Sequence, residues 1–381
     1  MTAKAAKAKT PRRVYRVLSL DGGGMRGTYT ATYLDRVAAA FARKRKIAGI
    51  DVGKAFDLIV GTSTGGIIGC GLAKGVPLAE MVALYREHGP AIFPKRLPKG
   101  LAGVPKDMIV RPGALRAGDK ALRGALEDIL GETTIGEVYR DRGIALAITA
   151  VEMSQHRSWV FKSAHVPTSK GRDDNYRLSD VCLATSAAPI FRAMAALDHP
   201  DGGGGYNVFV DGGLWANNPV LVGLVDALDV TGPGDRIEIY CLGTCPVPAG
   251  EQIARTALDR GLGAWKFGGE AAGLSMDAQA FAYDNIARML SRHVDRDCRV
   301  VRFPADKVPG ALLPYLDLDD TREAAMDALV NQARTDADMT NSKCGDRRDP
   351  VADLICTLFE NAPPLPEGAA GAVGPRDAPK D

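Results

Sequence analysis

A chain of 381 residues, 46% of them hydrophobic, has enough apolar material for one large α/β domain with extensions, or for two domains. Its net charge of +2 excludes a global electrostatic pull toward nucleic acid, so no DNA or RNA polymer is expected as a partner. Seven scattered cysteines, none in C-x-x-C spacing, argue against a zinc ribbon or a dithiol redox motif and read as reduced thiols of a cytosolic protein.

The N-terminal stretch "MTAKAAKAKTPRRVYR" carries six positive charges and no acid. No apolar segment follows it, which argues against a Sec signal peptide. Residues 1–13 are expected to form a solvated basic tail; weak attraction to an anionic membrane is the sharper reading. Nowhere do about 18 apolar residues run unbroken, so no transmembrane helix is expected.

The first predicted strand is "VYRVLSL", 14–20, and it runs into "DGGGMRG", 21–27. Gly22, Gly24 and Gly27 have the spacing of a dinucleotide-binding loop. In a chain with 43 glycines that spacing is a weak signal, and Asp51, the acid near the distance of about 20 residues that such a loop wants, closes no apolar run. Three consecutive glycines can instead turn backbone amides toward one point, as an oxyanion requires. Gly23 and Gly24 are the expected donors. Arg26 would meet an anionic head group or hold the loop.

A helix is predicted over 28–44, where Leu34, Val37, Ala38 and Phe41 fall at i, i+3, i+4 and i+7. The strand "FDLIVG", 56–61, then leads into "GTSTGG", and "GGIIGCGLA" opens a helix. Strand, tight turn and helix is the layout of a nucleophile elbow around Ser63. Gly61 and Gly65, two residues to either side, leave room for the strained turn. The helix start offers its positive end, and the Thr64 amide as a third donor, to a developing oxyanion.

A helix follows at 77–88. Residues 88–124 differ: prolines are frequent and basic residues outnumber acids eight to two. Ile92, Phe93, Leu97 and Leu101 alternate with Lys95, Arg96 and Lys99. A long surface crossover is expected, with a lid or a lipid-facing surface as the functional reading. Further helices are predicted at 118–130, 219–229, 276–293 and 321–335. Further strands are predicted at 144–151, 158–163, 206–210, 236–243 and 299–303. The Gly/Ala/Pro-rich residues 363–381 are expected to be disordered. Strands alternating with helices predict a largely parallel sheet covered on both faces.

A serine needs a base. The five histidines, His88, His156, His165, His199 and His293, stand in polar loops or at helix ends, and none looks structurally held. Asp211 closes the alternating strand "YNVFVD" and precedes Gly212 and Gly213. A buried carboxylate in direct contact with the hydroxyl would serve as base without a relay. On this stretch alone an ordinary Asx-turn aspartate is the favoured reading.

Together "DGGGMRG", "GTSTGG", "ATSAAPIF" (184–191) and "DGGLWANNP" (211–219) resemble the patatin-like phospholipase family, in that order and spacing, over roughly residues 14–245. The resemblance implies a three-layer α/β/α patatin-like fold with a mainly parallel central sheet and a helical C-terminal extension. It implies a Ser–Asp dyad: Ser63 as nucleophile, Asp211 as base, and Gly22 to Gly27 as the oxyanion loop, with Gly212 and Gly213 following the base. No metal or cofactor is implied. The expected organisation is a catalytic domain at 14–245 and a mainly helical part at 246–362 packed on it. "CLGTC", 241–245, departs from the family's usual glycine after Gly-Thr by carrying Cys245.

Family members cleave acyl esters of phospholipids or other lipids, which implies a lipid substrate and peripheral contact with the inner membrane surface from the cytoplasm. Length and the helical extension resemble bacterial antiphage effectors that a cyclic oligonucleotide switches on. Arg96, Lys99, Arg116, Arg347 and Arg348 are the cations available for such phosphates, and a solvated face is the favoured reading of each. Acyl transfer to an alcohol, and a binding module with a silent site, are the alternatives.

Overall fold

The computed structural model describes residues 13–98, 103–245, 253–259, 261, 265, 269–304 and 308–366. The two expected tails, 1–13 and 363–381, lie outside the described residues except for Arg13 and residues 363–366. Those last residues are not loose: Asp51 donates its amide to Pro363 O and Leu365 its amide to Gly49 O, at 2.9 and 3.0 Å.

Eight strands form one sheet: β1 (Val14–Leu20), β2 (Leu58–Thr62), β3 (Ala145–Glu152), β4 (Arg157–Lys162), β5 (Ala195–Asp198), β6 (Tyr206–Asp211), β7 (Arg236–Leu242) and β8 (Asp297–Arg302). Their order is β5-β6-β3-β2-β1-β7-β8, with β4 also paired to β3. The five strands β3, β2, β1, β7 and β8 are mutually parallel; β4 and β6 run antiparallel to β3. The fold is therefore α/β with a mixed, mostly parallel sheet.

Helices cover both faces. They are α1 (Gly27–Arg45), α2 (Thr64–Lys74), α3 (Leu78–Ala83), α4 (Gly89–Ile92), α5 (Val104–Leu130), α6 (Ile135–Arg142), α7 (Leu178–Thr185), α8 (Gly213–Ala216), α9 (Val220–Val230), α10 (Gly269–Leu290), α11 (Glu323–Lys343) and α12 (Pro350–Asn361). Side-chain alternation along the strands sorts the two cores. Leu18, Leu20, Ile59 and Ile148 face α1, α2 and α7; Val17, Leu58, Val60 and Ala147 face α9. Every position of β2 is buried, as a central strand between two helix layers requires.

After residue 252, β8, α11 and α12 join this core. β8 extends the sheet beside β7, and α11 lies along α1, where the Tyr29 hydroxyl bonds Asp336 at 2.6 Å and Tyr33 meets Thr340 at 2.7 Å. Phe359 of α12 stacks on Phe41 of α1 at 5.5 Å.

The crossover expected at 88–124 is largely helix. α5 starts at Val104 with Pro105 in its first turn, where no amide is missed, and carries Pro112 internally. Ile92 is buried and Phe93 packs against the core, so they do not form an exposed face. Leu101 and Lys99 lie outside the described residues. The cations are mostly engaged: Arg96 with Asp317 and Asp320, Lys95 and Arg111 with Asp107. Arg347 and Arg348 likewise bond Asp353, Glu360 and Asp346, while Arg116 is exposed. Asp51, the acid of the dinucleotide reading, is bound by Arg142 at 2.8 Å and closes a turn.

Candidate active site

The elbow follows from register. β1 and β2 pair with Leu20 beside Gly61, so the loops after both strands open at the same edge of the sheet. Ser63 sits at φ 54° and ψ −125°, a conformation a residue with a Cβ adopts only under strain of about 1–3 kcal/mol. The surroundings impose it. A Cβ on Gly61 would stand 2.6 Å from Gly65 O, and one on Gly65 would collide with Leu20 O. The Ser63 amide is fixed by Thr185 Oγ1 at 2.8 Å.

Asp211 reaches the serine by a different route. β6 is antiparallel to β3, so its end enters the sheet rather than leaving at the parallel edge. Thr62 pairs with Thr149, and the next residue of β3, Ala150, pairs with Asp211. The row that Ser63 leaves is thus the row Asp211 enters. Ser63 Oγ lies 2.7 Å from Asp211 Oδ2. Oδ1 accepts the Gly213 amide at 2.7 Å, so the Asx-type turn and the contact with the serine coexist, one on each oxygen. "ATSAAPIF" ties the two together: Thr185 holds Ser63, Ala187 O accepts the Asp211 amide at 3.1 Å, and Thr185 O accepts the Gly212 amide at 3.4 Å.

Burial pushes the Asp211 carboxyl up to about 6, against the opposing pull of the Ser63 hydroxyl, the Gly213 amide and the Arg192 charge. Among the described residues the bonded partner of Ser63 Oγ is this carboxylate and no histidine. One histidine is held after all. His165, 3% exposed at its side chain, bonds Asp226 at 3.1 Å and Ser163 O at 3.0 Å. It follows the end of β4, which lies opposite the start of β3 and so at the far end of the sheet from Ser63.

The glycine loop divides its amides. Gly22 donates to Asn217 O at 2.9 Å and Gly27 bonds back to Gly24 O, so these two shape the loop and offer no donor. Gly23 and Gly24 donate no hydrogen bond among the described residues, and Thr64 has the orphan amide of a helix start. Gly24 lies at φ 56°, a left-handed conformation that favours glycine.

The carbonyl before each free amide is pinned. Thr244 Oγ1 donates to Gly22 O at 2.9 Å, which aims the Gly23 amide to the opposite side of the same planar peptide. Arg26 does the same for Gly24: its Nε and its backbone amide donate to Gly23 O at 3.3 and 3.1 Å. Arg26 is buried, so it holds the loop and is not presented to a head group. Met25 donates to Leu318 O at 2.9 Å, a peg from the C-terminal part. Sequence reasoning missed Thr244 and Leu318. Thr244 carried a signal, since "GTC" stands in the motif noted for its departure from the family. Cys245 indeed occupies a left-handed conformation, φ 54°, where glycine is at ease.

Residues 18–224 match the family described as patatin-like phospholipase. The chain belongs to that family, whose members are hydrolases acting on lipid esters. It is 33% identical over 276 residues to a cGAMP-activated phospholipase of Pseudomonas aeruginosa, covering 72% of this chain and 74% of the relative. It is 35% identical to a cGAMP-activated phospholipase of Vibrio cholerae, over 55% of this chain and 56% of the relative. A cUMP-AMP-activated phospholipase of Escherichia coli is 31% identical, over 56% of this chain and 59% of the relative. Over the latter two relatives the match spans little more than half their length. The solved structure of VipD from Legionella pneumophila covers 86% of this chain and 66% of its own at 12% identity and a TM-score of 0.36, too loose a likeness to argue from.

Two outcomes follow from this geometry. A raised folded-state pKa means that the folded protein binds the Asp211 proton more tightly than the unfolded chain does. The ionised carboxylate therefore costs stability on the order of 3 kcal/mol above about pH 6, and nothing below the unfolded value of 3.8. Asp211→Asn is expected to raise Tm at neutral pH, with the gain fading as pH falls from about 6 toward 4; a gain independent of pH contradicts the buried charge. Thr244→Val keeps the shape and removes the donor to Gly22 O. It is expected to lower kcat on an ester about ten- to a hundredfold with KM little changed, and Thr244→Ser to restore it. Wild-type kcat in the valine variant rules out the pinning role.

Proposed function

We propose that this protein hydrolyses fatty acyl esters of phospholipids through Ser63 and Asp211. The observation that carries the reading is the 2.7 Å contact between Ser63 Oγ and a buried Asp211 carboxylate whose pKa is raised to about 6, close enough to neutrality to take a proton. Ser63 attacks the ester carbonyl as its proton passes to Asp211 Oδ2. The amides of Gly23, Gly24 and Thr64 receive the oxyanion, and the start of α2 adds its positive end. Asp211 returns the proton to the leaving alcohol, and an acyl group remains on Ser63 Oγ. Water, losing its proton to Asp211, then releases the fatty acid and restores the serine.

The rim of the dyad supports a lipid surface as the place of action. Leu214 follows Gly213, whose amide bonds Asp211. Ile190 and Met194 follow the 185–187 segment that holds the dyad. Leu274 lies on α10 two residues before Met276, which meets Gly213. All four are between 43 and 60% exposed. Among the described residues no helix is long and apolar enough to cross a membrane. The protein acts as a peripheral enzyme at the inner membrane surface, reached from the cytoplasm. A cyclic oligonucleotide governs its activity; the relatives named for activation by cGAMP or cUMP-AMP support this control.

The test is incubation with mixed phospholipids, with and without a panel of cyclic oligonucleotides, read by mass spectrometry. Fatty acid and lysophospholipid are expected, with turnover rising on addition of one nucleotide. Ser63→Ala and Asp211→Asn each lose about a thousandfold or more while remaining folded. Robust turnover by the Asp211→Asn protein sinks the dyad. Full activity without nucleotide, and no nucleotide binding by calorimetry, sinks the gating.

A further inference from the structure

One cation beside the dyad lacks the partners its burial calls for. Arg192 ends the segment that begins with "ATSAAPIF", and its amide donates to Ala188 O at 2.8 Å. Its side chain is 3% exposed. Nε and Nη1 have no hydrogen-bond partner among the described residues. The remaining contact, Nη2 to Asp119 of α5, is long at 3.5 Å, and Asp119 is itself 30% exposed. Buried guanidinium groups in folded proteins are normally bonded in full, because each orphan donor forfeits its water. A cation kept at this cost beside a reacting centre points to a ligand that supplies the missing acceptors.

The position suits one. Ala187 and Thr185, in the same segment, bond the backbone of Asp211 and Gly212, and Arg192 and Asp211 feel each other's charge. Burial also pulls the guanidinium down to about 10, the mark of a charge that is poorly compensated. Within this motif the backbone is not relaxed. Ile190, β-branched and 56% exposed, is held at φ 74°, in the left-handed region such a residue avoids. Arg192 follows Ile190 by two residues, so a relaxation of this strained backbone would move the guanidinium relative to its buried surroundings.

We propose that Arg192 is the subsite for the phosphate of the lipid substrate, its Nε and Nη1 forming a fork onto two phosphate oxygens once the Ile190 segment relaxes. The planar fork matches a phosphate geometrically as well as electrostatically. This assignment rests on the reading of Ser63 and Asp211 as an ester-cleaving dyad, and it adds that the enzyme selects esters carrying an anionic phosphate over neutral ones.

The test compares dihexanoyl phosphatidylglycerol with dihexanoylglycerol, which differ in the phosphate head group, in the full-length protein with whichever nucleotide gives turnover. The readout is the ratio of kcat/KM on the two, so that any effect of the Arg192 charge on Asp211 cancels. Arg192→Gln is expected to lower that ratio roughly 10- to 100-fold. Arg192→Lys keeps the charge without the fork and is expected to lower it roughly 3- to 10-fold; it carries the test if the glutamine variant does not fold. Inorganic phosphate added to the dihexanoylglycerol assay separates the sources of the group. Competition in the wild type that Arg192→Gln abolishes means that free phosphate enters the same fork. No competition beside a fallen ratio confines the fork to lipid. An equal loss on both esters, or an unchanged ratio, overturns the proposal while leaving the dyad standing. No turnover of either ester under any condition overturns both.

Discussion

A carboxylate held out of water against a serine hydroxyl is the constraint on which the rest of the structure depends. In water an aspartate of ordinary pKa is too weak a base to assist a serine. Burial of Asp211 raises its basicity, and its two oxygens divide the labour, one on the Gly213 amide and one on Ser63. Charge burial of this kind lowers stability, so the fold must hold both partners from outside the pair. It does so with backbone. The segment 185–187 bonds the amide of Ser63 with a threonine hydroxyl and the amides of Asp211 and Gly212 with two carbonyls. Serine and acid, 148 residues apart in sequence, are thereby fixed to one short stretch.

The oxyanion loop obeys the same logic. Free amides are useful only if they are aimed, and three consecutive glycines aim nothing by themselves. Aim comes from pinning the carbonyls on the other side of each peptide, by Thr244 at the end of β7 and by Arg26 from within the loop. Asn217, beyond the base, takes the amide of Gly22, and Leu318, from the C-terminal part, takes that of Met25. Nucleophile, base and loop are thus cross-braced. Gln279 and Ala280 of α10 add bonds to Asn217 and Asn218, so residues far along the chain bear on the glycine loop's partner. An activator acting on the C-terminal part would have a short mechanical route to the site.

Much of this was legible in the sequence, for reasons of locality. The elbow is a local object: an apolar strand, glycines two residues to either side of Ser63, and a helix start. The glycine loop and the acid closing a strand were also local patterns. Elements that failed to show lacked a local signal. β5, "AALD", has four residues and no β-branched side chain, and becomes a strand by pairing with β6. The second half of α5 was legible at 118–130, but its first half was hidden by Pro105 and Pro112, since the first is tolerated at a helix start and the second is carried by a long, packed helix. The antiparallel entry of β6 was invisible, because strand direction is a tertiary fact. Thr244, Leu318 and Arg192 matter through partners far away in sequence, which no spacing rule encodes. His165 misled in the opposite sense: it looked unsupported, yet Asp226 on α9 holds it at the far end of the sheet.

The most direct test of the central claim is the rate at which a soluble fluorophosphonate phosphonylates Ser63, followed by mass spectrometry across pH. Reaction needs only the nucleophile, its base and the oxyanion donors, and not a lipid interface. If Asp211 is the base, the rate rises with pH to a plateau with a midpoint at about 6, and Asp211→Asn removes both the rise and nearly all of the rate. Labelling of Ser63 at the wild-type rate in the asparagine variant, or a wild-type profile with no break near that pH, contradicts the account.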